Sequence, residues 1–330
     1  PPRSTLFPYT TLFRSGFFRP ESRPSRDLGV LLAGVLGTAE GRLSVLDLMA
    51  GCGIRALRYG QEAGAQAVWA NDADADRLPW LRRNLAPLAG EAGRRPRVTA
   101  LTAQKLLARC LLGEQRFDLV DLDAFGCPTA LVQPALEALR FGGVLYLAST
   151  DGRSPTGHDR RAAIRSLGAA ARAHPASWEL ALRLQIAVVA RAAWAQGRGI
   201  RPLFSFSEGR TFRTAIQLLR RPAAREEEQL GLLAHCHGCA EQLSQSLLRL
   251  RPWPACACQT DAAPALTISG PLWLGPLQHP DTLQAMAARA DTLPPSWTAR
   301  ASRRLMDAPS RALCTDNAAM VAAAGHWHLA

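Results

Sequence analysis

Asp123 closes the run FDLVDLD and is followed by the turn Ala124-Phe125-Gly126-Cys127-Pro128. A carboxylate there can accept hydrogen bonds from an amino group and take its proton as a new bond forms at nitrogen. The ring of Phe125 offers a flat surface on which a planar substrate can stack. The bland alternative is a helix-capping Asp beside a core Phe. Upstream, SVLDLMAGCGIR (44–55) reads as a buried strand that ends in a glycine-rich turn opening a helix. The turn is D-x-x-A-G-x-G, starting at Asp47, and Gly51 and Gly53 let the backbone bend sharply and approach a ligand with no Cβ in the way. A second strand, AVWAND, ends on Asp72, where such folds place an acid to accept hydrogen bonds from both ribose hydroxyls. Together these features predict an adenosine-bearing cofactor. The turn's departure from G-x-G-x-x-G favours S-adenosylmethionine over a dinucleotide.

A separate constellation lies toward the C-terminus. Cys236-x-x-Cys239 and Cys256-x-Cys258 are two close pairs, with His235 and His237 beside them. Four thiols in this pattern suit tetrahedral Zn2+, and unligated thiols of an eroded site are the alternative. His326 and His328 read as surface residues.

The elements that must position these groups alternate. LGVLLAGVLG (28–37) reads as a buried helix, although its length also fits a signal-peptide core. After the first two strands come a helix over 78–88, a strand over 97–103, a helix from Gln104, and a strand over 117–126. A helix from Thr129 and a fifth strand over 144–150 follow. Strands alternating with helices predict a parallel sheet with right-handed crossovers and ligands at the strands' carboxyl ends. Residues 159–199 read as arginine-bearing helices broken near Pro175, and 200–220 as an antiparallel hairpin around Ser-Glu-Gly. The fold class expected is α/β: a Rossmann-like methyltransferase sheet, mostly parallel with a closing antiparallel hairpin, plus a smaller α+β C-terminal domain. REEEQ (225–229), after Pro222, marks the expected boundary or a solvated helix start.

The chain has 330 residues, 48% of them hydrophobic, and a formal net charge of +12. Lys105 is its only lysine, so the positive charge is almost all arginine. That balance points to a polyanionic partner. No apolar run approaches the roughly 20 residues needed to span a bilayer, so no membrane association is expected. Cysteines inside the α/β region read as reduced thiols, which predicts a cytoplasmic protein. Residues 1–15 fit nothing downstream and are expected to be an artefact or disordered, and the chain reads as a fragment at both ends.

The motifs resemble the tRNA (guanine-26, N2) dimethyltransferase family, from about Phe17 to at least Leu277. FFRPESRPSRDLGV (17–30), DLMAGCGIRALRYGQEAGA (47–65), AND (70–72), DLDAFGCP (121–128), TDG (150–152), IRPLFSFSEGRTFR (200–213) and SGPLWLGPL (269–277) are similar to that family's segments, in its order. The acid-aromatic turn is also similar to that of amino-group methyltransferases. The amine of a nucleobase is barely nucleophilic, because its lone pair is conjugated with the ring, so a carboxylate must align it and take its proton, and an aromatic ring can stack on the extruded base. The resemblance implies S-adenosylmethionine contacts from Arg26, Arg55 and Asp72, with Thr102 and Ala103 flanking the adenine, and Asp123 as the catalytic carboxylate. An arginine can pair bidentately with the cofactor's methionine carboxylate. The family usually has Pro where Ala124 stands, Asp where Thr102 stands and Asn where Arg19 stands; Ala124 should loosen the turn.

The implied reading is a tRNA guanine N2-methyltransferase over residues 16–222, with a tRNA-binding domain over 223–330 that holds the zinc site. No obligate protein partner is evident. A non-catalytic tRNA-binding or folding factor on the same fold is the alternative. A nicotinamide-dependent oxidoreductase is disfavoured for want of a hydride-site constellation.

Overall fold

The computed structural model describes residues 20–90, 96–209, 211–254, 256, 258 and 266–303. Residues 1–15, Arg19, His326 and His328 lie outside the described residues.

The first α-helix among the described residues is α1 (Arg23–Glu40), started by a proline in its first turn and ended by Gly41 in the left-handed conformation. Leu28, Val30, Leu31 and Leu32 are at most 2% exposed. At about 1.5–3 kcal/mol for each fully buried side chain, they anchor this helix in the core. It is a core helix, as its apolar run predicts.

Alternation then sets in: β1 (Ser44–Asp47), α2 (Ile54–Gln61), β2 (Ala67–Asn71), α3 (Leu78–Leu85), β3 (Arg97–Thr99), α4 (Ala103–Leu112), β4 (Phe117–Asp123), α5 (Thr129–Glu137) and β5 (Leu139–Ser149). Next come α6 (Arg160–Leu167), α7 (Ser177–Trp194) and the antiparallel hairpin β6 (Gly199–Glu208) and β7 (Thr211–Leu219). The last elements among the described residues are β8 (Leu230–His235), β9 (Gln242–Ser246), β10 (Thr267–Trp273), α8 (Pro280–Thr292) and α9 (Thr298–Ala301).

The larger sheet has seven strands in the order β3-β2-β1-β4-β5-β7-β6, and β10-β8-β9 form a second, antiparallel sheet. β1 pairs in parallel with β2 on one side and β4 on the other, with Asp47 opposite Asp121. The chain therefore winds outward from β1 to β3 and then crosses back. That reversal makes the carboxyl ends of β1 and β4 the switch point of the sheet, the place where open α/β sheets bind ligands.

Three strand limits differ from expectation, the first being β4, which ends at Asp123 rather than 126 because the chain turns there through Gly126 at φ +74°. β3 stops at Thr99, because Thr102 turns its hydroxyl to the backbone N–H of Lys105 and caps α4. β5 starts at Leu139 rather than 144, since Arg140 pairs with Asp118 at 2.6 Å and holds this stretch extended along β4. Gly143 permits the approach: a Cβ there would lie 2.9 Å from the Phe117 carbonyl oxygen.

The chain forms two compact units. One gathers, of the described residues, those within 20–124, 134–147 and 280–303, and in it α8 and α9 pack with α1. There Asp27 accepts from Thr298 Oγ1 at 2.7 Å and from Ser302 Oγ at 2.8 Å, and pairs with Arg58 at 2.7 Å. The other unit holds 125–133 and 148–279. In it α7 packs on β6, β7 and β10, and buried Arg183 donates to the carbonyls of Trp273 and Gly275.

Candidate active site

The turn after β1 is built from backbone constraints. Gly51 and Gly53 have φ of +56° and +82°, values that side-chain-bearing residues rarely adopt. A Cβ at Gly51 would meet nothing within 4 Å, so the outer face of the turn is open space of the kind a ligand can occupy. Asp47 is fully buried beneath the turn. Its Oδ2 accepts from the Ala56 N–H at 3.2 Å, in the first turn of α2, while its Oδ1 is buried with no hydrogen-bond partner among the described residues. Burial, reinforced by the neighbouring Asp121, pushes the Asp47 carboxyl well above the usual carboxylate range.

Asp72 stands one residue beyond β2. Its Oδ2 accepts from the Gly51 N–H at 2.9 Å and its Oδ1 from the Asp74 N–H at 3.0 Å. Each oxygen retains a lone pair for a further donor.

Asn71, which the sequence reading passed over, locks this edge. Its side chain, 1% exposed, donates to the carbonyls of Leu48 (3.1 Å) and Leu101 (2.8 Å) and accepts from Leu101 N–H (3.1 Å) and Thr99 Oγ1 (2.8 Å). One amide thus joins the loops after β1 and β3. Asn84 does similar work from α3, donating to the Cys52 carbonyl at 2.9 Å. The signal for Asn71 was its place before Asp72 at a strand end; a buried amide has no sequence signature of its own. Thr102, the α4 cap, is exposed and Ala103 is 7% exposed, both at the carboxyl end of β3.

Charge concentrates on one face of β1 and β4. Asp121 and Asp123, two apart on β4, project to the same side. Arg55, 7% exposed, reaches Asp121 at 3.5 Å, Asp123 at 3.3 Å and Ser25 Oγ at 3.1 Å. Burial opposes the guanidinium charge, but Asp121 and Asp123 outweigh it and hold Arg55 ionised. Of the three carboxylates here, Asp47 and Asp121 are fully buried, whereas the Asp123 side chain is 30% exposed. Asp123 is therefore the acid a substrate can touch. Arg26 is 7% exposed, and burial, with Arg55 and Arg58 adding like charge, lowers its pKa to about 10. Such a cation carries a net penalty that an anionic ligand group would relieve.

The turn beyond Asp123 is tighter than its Ala124 suggests. Gly126 has φ +74°; its N–H donates to Thr150 Oγ1 at 2.7 Å, and its carbonyl accepts from Ser149 Oγ at 3.0 Å and Thr150 N–H at 3.1 Å. Phe125 is 78% exposed.

The thiol set also assembles. The Sγ atoms of Cys236, Cys239, Cys256 and Cys258 all lie within 4.8 Å of one another, with close pairs at 3.0, 3.3 and 3.5 Å. Tetrahedral Zn–S bonds of about 2.3 Å put sulfurs roughly 3.8 Å apart, so the cluster is near the right size. Backbone N–H groups of Cys239 and Gly238 push the Cys236 thiol down to about 6, while hydrogen bonding to Cys239 pushes the Cys256 thiol up and Cys258 is raised as well.

The chain matches the family model described as N2,N2-dimethylguanosine tRNA methyltransferase over residues 10–318. It is 33% identical over 274 residues to the tRNA (guanine(26)-N(2))-dimethyltransferase of Pyrobaculum neutrophilum, covering 82% of this chain and 70% of that protein. To the enzyme of the same name from Methanoregula boonei it is 34% identical over 275 residues, covering 83% and 68%. The solved structure of Trm1 from Pyrococcus horikoshii with S-adenosyl-L-methionine shares the fold: TM-score 0.74 at 24% identity, covering 88% of this chain and 77% of that one. Motif order, sheet topology and these likenesses agree: the chain belongs to the N2,N2-dimethylguanosine tRNA methyltransferase family.

Proposed function

We propose that this chain transfers methyl groups from S-adenosylmethionine to the exocyclic N2 of guanine 26 in tRNA, first one and then a second. The observation that carries the reading is Asp123: the accessible acid of a buried charge cluster, at the carboxyl end of β4, two residues before the exposed ring of Phe125. Family membership supplies the substrate class, since the curated relatives are named for guanine 26 of tRNA.

S-adenosylmethionine supplies an electrophilic methyl group on sulfur. Asp72 accepts from the ribose hydroxyls, Gly51 and Gly53 admit the ligand beside the backbone, and Thr102 and Ala103 flank the adenine. Arg26 and Arg55 face its methionine carboxylate, which offsets the unfavourable burial of Arg26. Asp47 stays beneath the turn and orders it through α2. Phe125 stacks on the extruded guanine. Asp123 accepts the N2 hydrogen bond, turns the lone pair out of conjugation and takes the proton as nitrogen is methylated. Holding the two reactants in line supplies much of the remaining acceleration.

Residues 16–222 carry the transfer and residues 223–330 grip the tRNA, with Zn2+ on Cys236, Cys239, Cys256 and Cys258 organising that part. A net charge of +12 favours the phosphate backbone, and no helix among the described residues is long and apolar enough to cross a membrane. The reaction belongs in the cytoplasm.

Incubating the protein with unmodified tRNA and methyl-labelled S-adenosylmethionine tests the assignment. Label on guanine N2 supports it; tight tRNA binding with no transfer would make the chain a binding factor instead.

A further inference from the structure

The charge cluster contains two groups that the transfer itself does not use. Asp121, fully buried, receives the hydroxyl of Tyr59 on its Oδ2 and shares Arg55 with Asp123. Tyr59 is 1% exposed and lies one helical turn after Arg55 on α2, so both reach the same side. Tyr146, from β5, donates to the Ser25 carbonyl at 2.8 Å, and the Ser25 hydroxyl accepts from Arg55. One guanidinium is thus divided between a hidden carboxylate and an accessible one.

We propose that Asp121 and Tyr59 are positioning residues that set the basicity of Asp123, by fixing how much of the Arg55 charge it receives. The inference rests on Asp123 as the proton acceptor. The charged and titratable groups on this cluster are Asp47 from β1, Asp121 from β4, Arg55 and Tyr59 from α2, Tyr146 from β5 and Arg26 from α1. Arg55 forms its ion pairs with Asp121 and Asp123, so the competition for its charge is between those two. The Tyr59 phenol, whose own ionisation is pushed up by burial and by Asp121, remains a donor and satisfies part of Asp121's demand.

The two substitutions act in opposite directions. Tyr59→Phe removes the donor, Asp121 draws Arg55 toward itself, and Asp123 holds its proton to higher pH. Asp121→Asn removes the competitor and a neighbouring negative charge, so Asp123 loses its proton at lower pH. A purely structural role would move both variants the same way.

The test is the pH dependence of single-turnover methyl transfer to unmodified tRNA at saturating S-adenosylmethionine, with thermal unfolding and cofactor affinity measured alongside. The acid limb is expected to move to higher pH in Tyr59→Phe and to lower pH in Asp121→Asn, by about half a unit to one unit each, or roughly 3- to 10-fold in rate on that limb. Unmoved limbs, or limbs moving together, overturn the assignment. Should Asp121→Asn not fold, Tyr59→Phe decides alone, and an unmoved limb again overturns it. Full activity in Asp123→Asn would remove the underlying reading of the catalytic acid rather than this inference alone.

Discussion

Gly51 donates its peptide N–H to Asp72 Oδ2 at 2.9 Å, so the acid beyond β2 is tied to the glycine turn beyond β1. Asp72 therefore orders the turn, and in the proposed reaction it also receives the ribose. Asp72→Ala should weaken S-adenosylmethionine binding about 10- to 100-fold, the cost of hydrogen bonds to a charged acceptor. The affinity for tRNA should stay within about twofold. Titration calorimetry with each ligand checks this, and an equal loss for both would point to general unfolding.

Asn71 should matter to stability as much as to binding. Asn71→Ala leaves the backbone groups of Leu48 and Leu101 without their partner and is expected to cost about 2–4 kcal/mol. Chemical denaturation measures it, and a midpoint unchanged from the parent protein would refute the bracing role.

Much of this was legible in the chain because each feature has a local cause. Apolar runs such as Val45 to Leu48 cannot avoid being core strands, and Gly51 and Gly53 announce a turn of left-handed backbone. The acids Asp72 and Asp123 could be placed at strand ends because each closes an apolar run, and their roles came from the fold class and the family resemblance. The Asn71 brace, the Asp47–Asp121 register and the grip of Arg55 on both Asp121 and Asp123 were not legible, since they depend on which strands become neighbours. The same holds for the ties from Gly126 to Ser149 and Thr150, which hold a turn that Ala124 alone would leave loose. The early start of β5 depends likewise on the pairing of Arg140 with Asp118.

Acid should destabilise the unit that contains His174. This imidazole is 9% exposed, accepts the Ala176 N–H on Nδ1 at 3.1 Å and stacks on His235 at 4.9 Å. Burial, with His235 and His237 adding to it, lowers its pKa to about 4. The unfolded chain takes up this proton near pH 6.5 and the folded one only near 4. Stability is thus fully present above pH 6.5 and falls as pH drops toward 4, by on the order of 3 kcal/mol at the lower end. His174→Gln should flatten that part of a stability-against-pH curve, and a curve of unchanged slope would count against it.

Zinc on the four thiols predicts about one metal per chain by elemental analysis. Chelation, or Cys239→Ser, should raise amide exchange across residues 230–258 while leaving α1 and β1 protected. A metal-free protein with the same protection pattern would show that the thiols pack without a ligand.

The proton acceptor is the centre of the account, and Asp123→Asn tests it most directly. This substitution keeps the shape of the side chain and removes its basicity. Measured as single-turnover transfer of labelled methyl to guanine N2 of unmodified tRNA, the rate should fall about 10²- to 10⁴-fold, with S-adenosylmethionine and tRNA binding retained. Transfer at the parent rate would contradict the assignment of Asp123.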